Sequence, residues 1–597
     1  HQLFAEVLQY RLRQTQPEIL PYLHSRASAW FEQQGLLADA IYHALLAGDF
    51  AHSEELIEEI WQAIWNQGAV VTLLNWVHQL PDELLYARPR LCVAYAWALA
   101  LAGQIESAEA CLQRVEATLQ GAEPESTWAQ TERHTTLGRA AALRAMIAAR
   151  RGEPAHALQL AQQARALIPA HSVMLRNNAC YALGLAYQQS GLLPEALAAF
   201  EEAARLSVTA EDLFLIIAAR YHEARIWMAQ GQLRMAADLY QQLLAIAAQP
   251  GRRVPVVGLA YVGYAEILYQ WNQLARAADL VETGLALSPS SSLTYTDGPL
   301  HRFSVLARIR QVMGDRQGAL AAVQSAKETA QQTGIALDVQ RAAALEALLY
   351  LRLGQPESAA TWAQSYMQLL TAQERFTYIH EFETCVFVRI LLAQARTAEA
   401  TALLAYRLPA AEAAQRTGSL IELCMLQAQA LQADGRASAA RGVFGRALAL
   451  AEPAGYLRLF VDEGEPVRSL TSEFRSSTIE RINSDSEARL LAYLDKLLNA
   501  FTSPPPVVAD IGSDLTPESH TPQARLLFEP RTLVEPLTER ELEVLGLIAA
   551  GRSNAVIAEQ LVVTVGTVKS HLKHIYSKLA VGSRTQAVAQ ARQLGLI

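Results

Sequence analysis

Glycine and lysine never stand side by side in this chain, so it has no GxxxxGK[ST] loop of the kind that cradles nucleotide phosphates. Lysine itself is scarce. Only five occur, and three of them, Lys569, Lys573 and Lys578, lie close together near the C-terminus. The five cysteines, Cys92, Cys111, Cys180, Cys385 and Cys424, are scattered, odd in number and free of CxxC spacing. They read as small buried apolar residues of a reduced cytosol rather than a disulfide framework or a thiolate zinc site. No apolar run reaches the ~18 to 20 residues of a membrane span, and the N-terminus has no basic-then-apolar leader. A cytoplasmic protein with no membrane partner is expected.

Catalytic constellations are missing as well. No GxSxG elbow occurs. His222-Glu223 and His380-Glu381 begin like a zinc-protease helix, but Ile226 and Thr384 stand where the second histidine must be. His571 and His574 are three apart with no third ligand, a spacing that polar packing explains better than a metal. Adjacent acids such as Glu58 and Glu59 point in different directions on a helix. Neither an enzyme nor a metal site is expected.

What the chain does have is a repeat. A glycine ends one helix and, five residues later, a small residue begins the close contact of the next: Gly35 with Ala40, Gly48 with Ser53, Gly103 with Ala108 and Gly152 with Ala157. The series runs on through Gly191 with Ala196, Gly231 with Ala236, Gly314 with Ala319, Gly354 with Ala359 and Gly435 with Ala440. Asn272 with Ala277 and Ala395 with Ala400 fill the gaps in register. A period near 40 residues predicts stacked helical hairpins, each burying its apolar face on its neighbours. The best copy spans Asn177 to Ser207, where Leu183, Gly184, Tyr187, Gly191, Ala196, Phe200 and Ala203 match the tetratricopeptide pattern. Gly121 to Thr135 interrupts the period and is predicted as a loop. A further helix is predicted over Ala488 to Phe501. Pro504, Pro505, Pro506, Pro517, Pro522 and Pro530 then mark a flexible or extended linker.

The last stretch, from Leu537, reads as four short helices. Thr538 with Glu541 is a capping box and Gly551 a stop. Ser553 or Asn554 opens a second helix to Leu561, Thr564 caps a third to about Leu579, and Ser583 with Gln586 caps a fourth. Val568, Leu572, Ile575 and Leu579 form one apolar stripe, with Lys569, Ser570, Lys573 and Ser577 off it. Such a helix presents side chains to a DNA major groove, or is a solvated basic helix of a small bundle. Charge follows the same division. From Arg531 onward eight basic and five acidic residues give +3, so a total of −9 leaves −12 for the remainder. DNA contact is expected only at the C-terminal end.

The runs LTERELEVL, GRSNAVIAEQL, TVGTVKSHLKHIYSKL and SRTQAVAQA resemble the DNA-binding domain of the LuxR-type transcription regulators. The resemblance implies that Lys569, Ser570 and Lys573 face base edges and that Thr567 and Lys578 lie near phosphates, with Asn554 and Arg584 completing the DNA-contacting set. It also implies that the fourth helix, around Ala587, Val588 and Ala591, pairs two subunits. Val556 departs from the family, which usually has an acid there. The lost capping box costs about 1 kcal/mol of local stability. GYLRLFVDEGEPVRSL, from Gly455 to Leu470, resembles the end of the repeat domain in the large ATP-dependent, maltose-regulator-like subfamily. That subfamily carries an ATPase of the signal-transducing class ahead of its repeats. The resemblance thus implies that this chain is part of something longer, with an ATP-binding domain upstream or lost, and no cofactor within these residues.

The resulting expectation is an all-α chain: the tail of an upstream winged-helix segment over 1–23, and a tetratricopeptide-like right-handed superhelix over 24–501. A Pro-rich linker over 502–530 and a LuxR-type helix-turn-helix over 531–597 follow. The inner face of the repeats is predicted to place Asn178, Tyr181, Gln188, Tyr221, Arg225, Glu266 and Tyr269 along one groove, suited to a small polyol or a peptide. The functional expectation is a transcription regulator, an activator by resemblance. Its partners would be double-stranded DNA, an inducer or protein on the repeats, RNA polymerase, and a second copy of itself. The alternative is a repeat scaffold for protein partners with a vestigial DNA module.

Overall fold

The computed structural model describes Leu12 and residues 15–66, 70–120, 127–247, 255–287, 298–369, 378–479, 485–502 and 539–549. It also describes Arg552, Asn554, Ile557, Ala558, Leu561, Val568, His571, Leu572, Ile575 and Ala587. The chain divides into two compact units. One is Phe50–Ile511 and the other comprises His1–Asp49 and Gly512–Ile597.

The large unit is a stack of antiparallel helical hairpins. They begin with Pro89–Leu101 and Ile105–Gln120, then Thr127–Arg151 and Pro154–Leu167, Val173–Gln189 and Leu193–Thr209, Leu213–Ala229 and Leu233–Ala247. Gly258–Gln270 and Leu274–Leu287, Gly298–Val312 and Arg316–Thr333, and Ala336–Arg352 and Pro356–Leu369 continue the stack. Glu381–Ala393 with Thr397–Ala413 and Thr417–Ala433 with Ala437–Ala451 complete it.

The turn inside each hairpin follows from one backbone requirement. The residue after the first helix must be left-handed, so that the next amide can close a six-to-one bond on the last turn. At Gly231 φ is +76°, and the Gln232 amide donates to the Trp227 carbonyl at 2.8 Å. The series read from the sequence holds through Asn272 (φ 59°) and Ala395 (φ 57°), the two members that are not glycine. Every small residue five positions on, from Ala40 to Ala440, has no exposed surface. There the paired helices touch, and a larger side chain has no room. In the best copy, a Cβ at Gly184 would lie 2.6 Å from the Phe200 ring, so the missing methyl admits the aromatic.

Successive hairpins coil until the stack meets itself. Arg150 pairs with Asp338, 188 residues on, and Trp271 Nε1 donates to the Ala454 carbonyl across 183 residues. The Tyr456 hydroxyl reaches the Met228 carbonyl across 228 residues at 3.2 Å. A Cβ at Gly231 would lie 3.1 Å from Thr417, and one at Gly191 would lie 3.4 Å from Tyr378. Apart from the longer reach of Tyr456, these separations of about 190 residues, between four and five repeats, mark one superhelical turn, and the following turn packs directly on it.

Two boundaries differ from expectation. Residues 127–135, predicted as loop, belong to the 25-residue helix Thr127–Arg151. TWAQTERHT lacks glycine and proline, so nothing in it stops the helix from extending backwards. The predicted boundary at 23/24 falls inside the helix Leu20–Gln33, which forms a hairpin with Leu37–Ala47. The predicted helix over 488–501 is observed as Asp485–Thr502, and the Pro-rich stretch lies outside the described residues.

In the C-terminal module the first helix is Glu539–Ala549, and the Arg552 amide closes on the Leu547 carbonyl at 3.1 Å. Val544, Leu545 and Ile548 from this helix, Ile557 and Ala558 from the next, and Val568, Leu572 and Ile575 pack in one core.

Candidate functional site

A cavity of about 410 Å³ opens in the large unit where two turns of the superhelix face each other. One wall comes from the inward first helices Leu213–Ala229, Gly258–Gln270 and Gly298–Val312. The other comes from Ala336–Arg352, Glu381–Ala393, Thr417–Ala433 and the segment after Gly455.

Its polar lining is built around two buried carboxylates. Glu266 receives three donors: His301 Nε2 at 2.7 Å, Arg308 at 2.6 Å and Arg225 at 3.0 Å. Burial works to raise the Glu266 pKa, but His301, Arg308 and Arg225 together hold it well below the usual carboxylate range. His301 is driven below its ordinary value by burial and by Arg225, and its Nδ1 meets the Tyr221 hydroxyl at 2.9 Å. Asp462 is the second centre. It pairs with Arg352 at 3.3 Å and with Arg458, and it accepts the Tyr269 hydroxyl. Tyr269 is consequently pushed up to about 12 by burial and by Asp462. Arg389, between Glu422 at 2.8 Å and Glu463 at 2.7 Å, completes the rim. Leu300, Leu345, Leu348, Phe382 and Leu459 give the cavity an apolar side.

Five arginines and four acids line this space, and the pairings above tie the buried arginines to carboxylates. A charged ligand would have to displace a protein ion pair, at the cost of an uncompensated buried charge. A neutral ligand bearing hydroxyls or amides can use the N–H groups and lone pairs that remain while its apolar parts meet the leucines.

Of the seven groove residues read from the sequence, Gln188, Arg225 and Glu266 line the cavity. Asn178 does not, and its amide donates to the Met174 carbonyl of its own helix at 3.3 Å. Tyr181, Tyr221 and Tyr269 are corrected: they are 2%, 0% and 1% exposed. Tyr181 packs edge-on against Phe200 and His222, and Arg308 and Arg458 lie over the Tyr269 ring. These neighbours cover the rings, so they are core and not groove. His301, Arg308, Arg341, Arg352 and Asp462 went unread, because single charges on helices carry no local signal of facing inward. His222 stacks on Phe200 and meets Gln188 at 2.9 Å, while Glu223 takes Arg220 at 2.6 Å, so this pair serves packing.

In the C-terminal module Val568 and Ile575 are fully buried and Leu572 is 6% exposed, so the third helix turns its apolar stripe inward. Asn554 is helical and half-buried. Ala587, expected on a subunit-pairing face, has no exposed surface and belongs to the module's own core. Thr567, Lys569, Ser570, Lys573, Lys578, Arg584, Val588 and Ala591 lie outside the described residues.

A superhelix of hairpins around a polar cavity, with a separate small helical module at its C-terminal end, defines a helical-repeat protein of the tetratricopeptide class. Residues 138–477, more than half of the chain, match the model of the MalT-like TPR region, and the chain belongs to that family. Residues 535–591 match the bacterial regulatory proteins of the luxR family. Among curated proteins the chain is similar to the HTH-type transcriptional regulator MalT of Serratia proteamaculans. The two are 26% identical over 599 residues, all of this chain and 64% of the relative. The protein of the same name from Cronobacter sakazakii is 25% identical over 614 residues, again with all of this chain and 64% of the relative. The chain thus spans just under two thirds of the length of these relatives. A solved Rap protein complexed with competence and sporulation factor aligns with 71% of this chain and 99% of its own at 12% identity. Its TM-score is 0.40.

Proposed function

We propose that this chain is the sensing and DNA-binding part of a transcription regulator and not an enzyme. Its repeats take up a small inducer or a peptide in the cavity, and its C-terminal module docks on double-stranded DNA. The observation that supports this reading most is the anchoring of the third helix of the module. Val568, Leu572 and Ile575 are sunk in one core with Val544, Leu545 and Ile557; in the sequence, Lys569, Ser570 and Lys573 fall off that stripe by helical spacing. A helix held by one face with cations on the other is what major-groove docking needs. The cavity chemistry favours a neutral ligand with hydroxyl or amide groups, so a small polyol or an uncharged peptide is the inducer class we propose.

The test is selection from a random duplex library with the full chain, followed by titration at several salt concentrations. A regulator of this type enriches a sequence with two half-sites about one helical turn apart, and its binding weakens steeply as salt rises. Recovery of no sequence, with no salt-sensitive binding, would leave the repeats as a scaffold for protein partners.

A further inference from the structure

We infer that the segment Ala454–Asp462 is a strap that couples the state of the cavity to the helix Asp485–Thr502, the last helix of the large unit. This rests on the reading of the cavity as a ligand site and adds how its occupancy is transmitted.

The strap touches the cavity, the superhelix and the last helix at once. Tyr456, Leu459 and Asp462 lie in the cavity wall. Its backbone is tied to the preceding superhelical turn at several points. The Leu457 amide donates to the Gln270 carbonyl at 2.8 Å, the Leu459 amide to Gln270 Oε1 at 3.2 Å, and Trp271 Nε1 to the Ala454 carbonyl at 2.9 Å. Its side chains reach further. The Tyr456 hydroxyl donates to the Met228 carbonyl, and Asp462 pairs with Arg352, which itself lines the cavity. At the other end the Tyr493 hydroxyl, on Asp485–Thr502, donates to the Tyr456 carbonyl.

Tyr456 therefore stands between the two. Its side chain faces the cavity and holds one superhelical turn, and its carbonyl holds the last helix. Tyr456 and Tyr493 are 6% and 5% exposed, so neither bond is exchanged with water at no cost. A ligand that moves Arg352 or Tyr456 moves the strap, and the strap moves the helix that precedes the stretch leading to the DNA-binding module. The remaining polar ties hold the strap to residues about 190 positions upstream. A change in superhelical pitch is felt at the same place.

Amide hydrogen exchange on the full chain tests this without DNA or ligand. Arg352→Met removes one tie between the cavity wall and Asp462. Exchange is expected to rise about tenfold at the Leu457 and Leu459 amides and also in Asp485–Thr502. With Tyr493→Phe added, the rise at the strap should persist while the response of Asp485–Thr502 to Arg352→Met disappears. Asp462→Asn, which keeps the shape of the side chain, should reproduce the pattern, and Arg396→Met, an exposed pair with Glu399, should not. An unchanged Asp485–Thr502 in Arg352→Met and Asp462→Asn overturns the inference. So does a response that survives Tyr493→Phe, or a rise spread equally to the distant helix Pro89–Leu101. The DNA selection above succeeds or fails independently, so loss of this coupling and loss of the regulator reading are told apart.

Discussion

Adding one methyl at Gly418 tests whether the superhelical turns truly rest on each other. Gly418 is the second residue of the helix Thr417–Ala433, and a Cβ there would lie 2.6 Å from the Met228 carbonyl oxygen and 3.0 Å from that of Ala229. Those oxygens are backbone, at the C-terminal end of Leu213–Ala229, and no rotamer can move them aside. In an exposed helix, glycine to alanine stabilises by about 1 kcal/mol. Gly442 supplies that reference, since it lies within Ala437–Ala451 with nothing within 4 Å of the added carbon. At Gly418 the same gain is opposed by overpacking of about 1 to 3 kcal/mol. Separation of the turns would also cost the bond from Tyr456 to Met228, about 1 kcal/mol. The expected gap between Gly442→Ala and Gly418→Ala is about 2 to 3 kcal/mol, with the first stabilising and the second destabilising. Urea titration of the full chain followed by helical circular dichroism reads the difference as opposite shifts in midpoint. Equal stabilisation by both substitutions would mean that the turns stand apart, and the cavity between them would lose its second wall.

Three further outcomes are expected. Burial raises the Glu223 pKa to about 6, above the ordinary carboxylate value of about 4.5, so the fold holds the proton more tightly than the unfolded chain does. That contribution is complete below about pH 4.5 and is lost as pH rises through about 6; Glu223→Gln should therefore gain about 2 kcal/mol on the wild type between pH 4 and pH 7.5, read as diverging melting curves. At Ala395, φ of +57° carries a left-handed penalty of about 1 to 2 kcal/mol, against about 0.4 to 1 kcal/mol of extra freedom that a glycine loses on folding. Ala395→Gly should raise stability by about 0.5 to 1 kcal/mol, and a lower melting temperature would contradict the turn geometry. On DNA, Lys573→Ala should relax base preference by about 1 to 3 kcal/mol, whereas Lys578→Ala should weaken binding to all sequences and reduce the salt slope by about one unit. Equal losses by Lys573→Ala on selected and random duplexes would remove its base-reading role.

The fold was legible because its governing constraint is local. A left-handed residue after each first helix, and a methyl-sized residue five positions on, are both visible in a single line of sequence, and Asn272 and Ala395 could be read in register even without glycine. The matching turns at Glu211 and Gln415, between hairpins, were not legible. A charged or amide side chain tolerates the left-handed region at a modest cost, and neither residue type marks it. The stripe of the third module helix was legible for the same local reason, since positions four and three apart share a face. Ala587 was misread because a small apolar residue suits a subunit contact and a tight core equally well, and only the surrounding residues separate the two.

The cavity is a different kind of object, and its composition explains why sequence reached less than half of it. Pattern along one helix tells which residues face inward, and by that rule Tyr181, Tyr221 and Tyr269 belong with Gln188, Arg225 and Glu266. Whether an inward residue meets open space or another helix depends on how tightly the superhelix is wound. That winding is the sum of small rotations over between four and five hairpins, and no single hairpin encodes it. Tyr181 and Tyr221 are closed off by Phe200, His222 and Tyr240 of neighbouring helices, whereas the return after about 190 residues seals Tyr269 beneath Arg458 and against Asp462. It also brings Arg352 and Asp462, remote in sequence, opposite the helices that carry Arg225 and Glu266. A change in the rotation per repeat would pull the two carboxylate centres apart. The shape of the cavity is therefore set by pitch as much as by the side chains that line it, through the contacts that fix pitch, Gly418 on Met228 and the strap on Gln270.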